Sequence, residues 1–208
     1  MAIAYTEASQ SFMVDSRFKT TAFICFFTAI LGIPMFIFGM LTALKLSAIW
    51  MIFIRIPLTI VYSVFAIYIL LQLERLLVKR YHLDNIRIMI KSIIIMLIIL
   101  LAMEIFSTIL PIFTRDQGAL MLLGIVPYIP LCLLGGIIYF IYGVRLLELK
   151  DQTSGLYRIY AIMQIIGGVC FFTIILWFIG ILFFNVALIV LGMIFLKESE
   201  TEPEVEFV

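Results

Sequence analysis

The chain has 208 residues, 65% of them hydrophobic and 13% charged, with a formal net charge of +1. Soluble domains run at roughly 45–50% apolar and about 25% charged, and a domain this small has too little interior to hide such an excess. Composition therefore excludes a soluble fold, and so small a net charge gives no basis for nucleic-acid binding; lipid is the solvent that fits.

The first nineteen residues are polar and mixed, carrying Glu7, Asp15, Arg17 and Lys19. The apolar run behind them, about 25 residues, exceeds the h-region of a cleavable signal and has no A-x-A-like site after it, so it is expected to stay as a span. A span needs about 20 predominantly apolar residues to cross ~30 Å of hydrocarbon. On that measure spans fall at 20–44, 47–73, 88–113 and 119–147. Arg55 and Pro57 interrupt the second, Glu104 the third, and Pro127 and Pro130 the fourth.

The last apolar stretch, Ile159–Leu196, carries no charge. As one helix it would measure about 57 Å, more than any tilt fits into the bilayer core. It is expected to divide into spans 157–177 and 181–196 around a turn at Phe178-Ile179-Gly180; undivided, it would leave five spans. The fold class is an all-α polytopic transmembrane helical bundle of six spans, a single membrane-embedded domain over 1–197. The segment 198–208 holds five Glu and no basic residue, and is expected to be a disordered, solvated acidic tail. A faint likeness between Ile56-Pro57-Leu58 and Ile129-Pro130-Leu131 suggests a parallel repeat of hairpins, although chance accounts for it equally well.

Orientation follows from Lys and Arg near span ends. With the N-terminus inside, the inner segments collect Arg17, Lys19, Arg75, Lys79, Arg80, Arg87, Lys91, Arg145, Lys150, Arg158 and Lys197, eleven of the fourteen basic residues. Trp50 and Trp177 then fall at the outer interface, where amphipathic rings prefer to sit. The expected topology is N-in and C-in, in a plasma or bacterial inner membrane, with both termini cytoplasmic. Within this scheme Arg75, Lys79, Arg80, Arg87 and Lys91 form a basic cluster suited to anionic lipid, at about 1 kcal/mol per residue near the surface. Membrane lipids are thus the expected partners, anionic at the cytoplasmic face, together with other membrane proteins or further copies of the chain.

Catalytic signatures are absent: there is no G-x-S-x-G, H-E-x-x-H, Walker loop or dinucleotide fingerprint. Only Glu104 lies deep in a span, so paired carboxylates have no second member. Cys25, Cys132 and Cys170 sit in apolar runs without a C-x-x-C pair, and His82 is the one histidine, which excludes a bis-histidine haem and a His-rich metal site within one chain. No cofactor and no catalytic residue is expected.

Arg55 and Glu104 carry the remaining information. Arg55 lies about eight residues from the outer end of its span and Glu104 about nine from the outer end of the next, which places both roughly 12–14 Å deep. A lone charge at that depth costs at least about 2.5–3.5 kcal/mol, and pairing is the usual remedy. Asn185 lies near the same depth, and can join that polar group or hydrogen-bond a neighbouring helix, the latter being commoner for amides in membranes. Gly135-Gly136 and Gly167-Gly168 are expected to mark close helix contact. The leading reading is a non-enzymatic membrane subunit, scaffold or assembly partner in which Arg55 and Glu104 staple two helices. The alternative is a small transporter or channel that uses them as its site.

Overall fold

The computed structural model describes residues 2–43, 49–81, 84–114, 118, 126–148, 155–173 and 176–200. Six long helices follow one another: α1 (Ala2–Ala43), α2 (Ile49–Tyr81), α3 (Asp84–Phe113), α4 (Tyr128–Leu147), α5 (Gly155–Phe172) and α6 (Trp177–Glu200). There is no strand among the described residues. Each helix contains a segment long and apolar enough to cross a bilayer: Arg17–Phe38, Phe53–Val78, Ile86–Leu110, Tyr128–Leu147, Gly155–Phe172 and Ile179–Glu200. Phe23, Phe53, Ile88 and Phe113 point out of the bundle and are largely exposed, where a soluble protein would tolerate no such continuous apolar surface. The chain is an integral, multi-pass membrane protein.

Each helix packs against the next, and α1 packs against α6, so the bundle closes into a ring. Phe18 of α1 stacks on Phe195 of α6 with ring centroids 5.9 Å apart, which puts the start of the first span and the end of the last at one end of the molecule. The largest fully buried side chains, including Ile69, Leu73, Ile90, Tyr142, Tyr157 and Phe195, all lie in the half of each span nearest that end. In the opposite half burial falls mostly on small residues, among them Ala29, Gly32, Thr59, Gly136 and Gly168. Among the described residues the fully buried large side chains are therefore concentrated at the end that carries the termini.

Glycine brings α4 and α5 into backbone contact. A Cβ on Gly136 would lie 2.7 Å from the Gly168 carbonyl oxygen, and one on Gly143 would lie 2.8 Å from that of Ala161. The spacing of seven residues on both helices keeps the small positions on one seam. Hydroxyls on the apolar helices find their acceptor in the preceding turn: Thr21 Oγ1 donates to the Arg17 carbonyl at 2.8 Å and Thr28 Oγ1 to that of Ile24 at 2.6 Å. In hydrocarbon such groups must be satisfied internally.

The helix ends differ from the sequence expectation in four places. The second span does not stop at Leu73: Leu73, Leu76 and Leu77 are all buried, so the apolar stripe continues at helical spacing beneath Glu74 and Arg75, and α2 runs to Tyr81. The fourth span, expected over 119–147, has its helix from Tyr128, with Pro127 at the N-cap; residues 119–125 lie outside the described residues. Pro130 falls in the first turn of α4, where its missing N–H leaves no hydrogen bond unmade, whereas Pro57 is inside α2. The two Ile-Pro-Leu triplets therefore occupy unlike positions, against a repeat.

The break in the last apolar stretch comes earlier than Phe178-Ile179-Gly180. Helix α5 ends at Phe172, Thr173 Oγ1 donates to the Cys170 carbonyl at 2.9 Å, and α6 begins at Trp177. Gly180 is helical, its N–H bonded to Leu176 at 3.0 Å. Its small size serves contact, since a Cβ there would meet the Phe171 ring at 2.6 Å and the Gly167 carbonyl at 3.2 Å. Finally, α6 continues through Glu200, and Glu198 and Ser199 are buried, so the beginning of the expected tail belongs to the bundle. Residues 201–208 lie outside the described residues.

Candidate intramembrane polar site

In the half of the bundle opposite the termini, three helices contribute to one polar cluster. Arg55 of α2 forms an ion pair with Glu104 of α3 through Nη2 and Oε1. Tyr128, the first residue of α4, donates its hydroxyl to the other carboxylate oxygen at 3.1 Å. Ser107 Oγ lies 3.1 Å from the Tyr128 hydroxyl. Ser107 and Thr108 both donate to the Glu104 main-chain carbonyl, at 3.1 and 2.7 Å. The carboxylate is thus held on one oxygen by a cation and on the other by a phenol.

Helical periodicity explains the convergence. On α3 the residues Ile86, Ile90 and Ile93 are buried, and Ile88, Ile95 and Phe106 are exposed. Continued at three- and four-residue steps, the buried stripe reaches Glu104 and Ser107. On α2 Phe53, Ile54, Ile60 and Val61 are exposed, while Arg55 lies on the side shared with buried Thr59 and Ser63. The pair is not sealed: side-chain exposure is 18% for Arg55 and 22% for Glu104.

Asn185 takes no part in that cluster through its amide. Its Nδ2 donates to the Ile181 carbonyl of its own helix at 3.1 Å, and its buried Oδ1 has no hydrogen-bond partner among the described residues. It sits across from α1, where a Cβ on Gly32 would lie 1.9 Å from Oδ1. The absence of a side chain at Gly32 is what admits it.

A second polar group occurs at the end that carries the termini. Glu198 of α6 is 8% exposed, and its Oε1 accepts hydrogen bonds from Tyr81 of α2 at 3.1 Å and Tyr157 of α5 at 3.2 Å. The two rings meet edge to face with centroids 5.6 Å apart. Three helices are tied there by one carboxylate.

The basic residues suited to lipid contact lie near the same end. Arg75, Arg87 and Lys91 are exposed, and Arg87 Nε pairs with Glu74 at 3.0 Å. Lys79 and Arg80 belong to the last turns of α2, but their side chains lie outside the described residues. Arg17, Lys19, Arg145, Arg158 and Lys197 are exposed around this end as well. Among the described residues no three His, Cys, Asp or Glu side chains come together in a way that could hold a metal ion.

Tyr128 and the Glu198 tie were not singled out in the sequence. Tyr128 had a usable signal: it lies nine residues from Ala119, the expected start of span four, as Glu104 lies nine from Phe113. Depth matching would have found it. Comparison with known protein families, curated proteins and solved structures returns no match for this chain.

Proposed function

We propose that the chain is a non-enzymatic membrane protein of the transporter or channel class, with Arg55, Glu104, Tyr128 and Ser107 forming the site at which it binds a small polar ligand. One observation supports this over a purely structural staple: the ion pair is part of a four-residue network on three helices and keeps 18% and 22% of its two side chains exposed. A staple needs two residues and is best sealed, because a pair shielded from water is screened least. A binding site needs access and convergent polar groups in an apolar wall, and this cluster has the second. The membrane-subunit or scaffold role is the reading that remains without that access.

The test is whether water reaches the cluster. With Cys25, Cys132 and Cys170 replaced by Ala or Ser, Ser107→Cys is treated with a membrane-impermeant thiol reagent from each side of proteoliposomes. Rapid modification is expected from the side opposite the termini. Protection from both sides, in a protein that still folds, would sink the binding reading and leave the staple.

A further inference from the structure

Apart from the Arg55 cluster, an exposed cation near the end that carries the termini marks a second surface. Lys91 of α3 lies five residues inside the span Ile86–Leu110, about 7.5 Å from its end at the helical rise. Among the described residues it is the exposed Lys or Arg set furthest inside a span, and no described carboxylate pairs with it. A cation there must extend towards the surface or meet an anion.

Arg87 lies one turn nearer the end of α3, and residues four apart on a helix are neighbours. Its side chain is 54% exposed, and its Nε is held at 3.0 Å by Glu74 of α2. That bond takes up Nε and leaves the two terminal amino groups out of it; a guanidinium fork suits phosphate, and Lys91 adds a compact charge. Among the described side chains at this level, Arg75, Arg87 and Lys91 stand against Glu74, three positive charges less one negative, a net of +2. Ile95 and Ile98, four and seven residues beyond Lys91, continue its face and are 58% and 51% exposed. Two cations above an apolar stripe match the two parts of an anionic glycerophospholipid, its phosphate and its acyl chain. A free anion would leave the isoleucines unused, and a zwitterionic headgroup would bring a cation of its own into a patch already positive.

We propose that Arg87 and Lys91, with Ile95 and Ile98 beyond them, form a binding position for an anionic glycerophospholipid in the leaflet at this end. The test reads the lipid next to Ile95. In the cysteine-free background, Ile95→Cys carries a bimane label in vesicles of equimolar phosphatidylglycerol and phosphatidylcholine, with dibrominated chains on one lipid or the other as quencher. Ile162→Cys is the control, because Ile162 is exposed one turn beyond Arg158, a single exposed cation. At about 1 kcal/mol for each basic residue, phosphatidylglycerol should be preferred about thirtyfold at Ile95 and about fivefold at Ile162. Arg87→Gln/Lys91→Gln should bring the Ile95 position to the Ile162 level or below. Equal preference at the two positions would overturn the proposal, and that comparison alters no charge, so it stands even where the double variant fails to insert. An Ile95 preference that the double variant keeps would overturn it as well.

Discussion

Gly136 of α4 and Gly168 of α5 lie so close that a Cβ on either would sit within 2.8 Å of the other's carbonyl oxygen. The obstructing atoms are backbone, which cannot rotate aside as a side-chain tip can. Gly136→Ala and Gly168→Ala should therefore each destabilise the bundle by about 1–3 kcal/mol as the helices are forced apart. Gly155→Ala is the control, because a Cβ there meets nothing within 4 Å. Unfolding in mild detergent, followed by circular dichroism, measures the difference; equal midpoints for Gly168→Ala and Gly155→Ala would contradict the contact.

The Arg55–Glu104 pair predicts a particular double-mutant cycle. Arg55→Leu or Glu104→Leu alone leaves a charge without its partner, which in soluble proteins costs about 3–5 kcal/mol, while replacing both can be nearly neutral. The cost here is expected to be lower, as the site is partly exposed and water relieves a stranded charge. The Arg55→Leu/Glu104→Leu protein should regain stability yet bind no ligand. Strictly additive losses would show that the two side chains do not interact.

Two fully buried tyrosines near the end that carries the termini should respond in opposite ways. The Tyr157 hydroxyl donates to Glu198, and a hydrogen bond to a charged group is worth about 1.5–3 kcal/mol, so Tyr157→Phe should lower stability by that order. The Tyr142 hydroxyl has no hydrogen-bond partner among the described residues, and Tyr142→Phe should be close to neutral or mildly stabilising. Truncation after Leu196, which removes Glu198, should destabilise more than truncation after Glu200. Parallel melting curves of the four proteins decide it.

Topology is the fourth prediction. Among the described residues the exposed basic side chains cluster at the end of the bundle that holds both termini, and the positive-inside rule predicts that this end is cytoplasmic. Reporter fusions after Lys197 should read as cytoplasmic and fusions after Arg115 as external. A C-terminal reporter active outside the cell would reverse the assignment.

The spans were legible because hydrocarbon thickness and charge are strong constraints, and the depths of Arg55 and Glu104 could be counted from the helical rise alone. What the sequence obscured was the use of individual small and charged residues. Gly180 looks like a turn, yet its lack of a side chain admits Phe171, and the chain instead breaks after Thr173 caps α5. Glu198 looks like the start of a solvated acidic run, because composition averages over the segment. Its partners, Tyr81 and Tyr157, come from residues more than 100 and more than 40 positions earlier in the chain, respectively, a relationship no local pattern carries.

The closure of the ring between α1 and α6 sets an order in time. Ala22 and Phe26 lie against Gly192, and Gly32 against Asn185, so α1 leaves the ribosome well before α6, the helix it packs against where the ring closes. At roughly 5–20 residues per second, α6 follows by about ten to thirty seconds, long after α2. Throughout that interval the small and hydroxyl-bearing face of α1, with Thr21, Cys25 and Thr28, is bordered by lipid or by whatever insertion machinery shelters it.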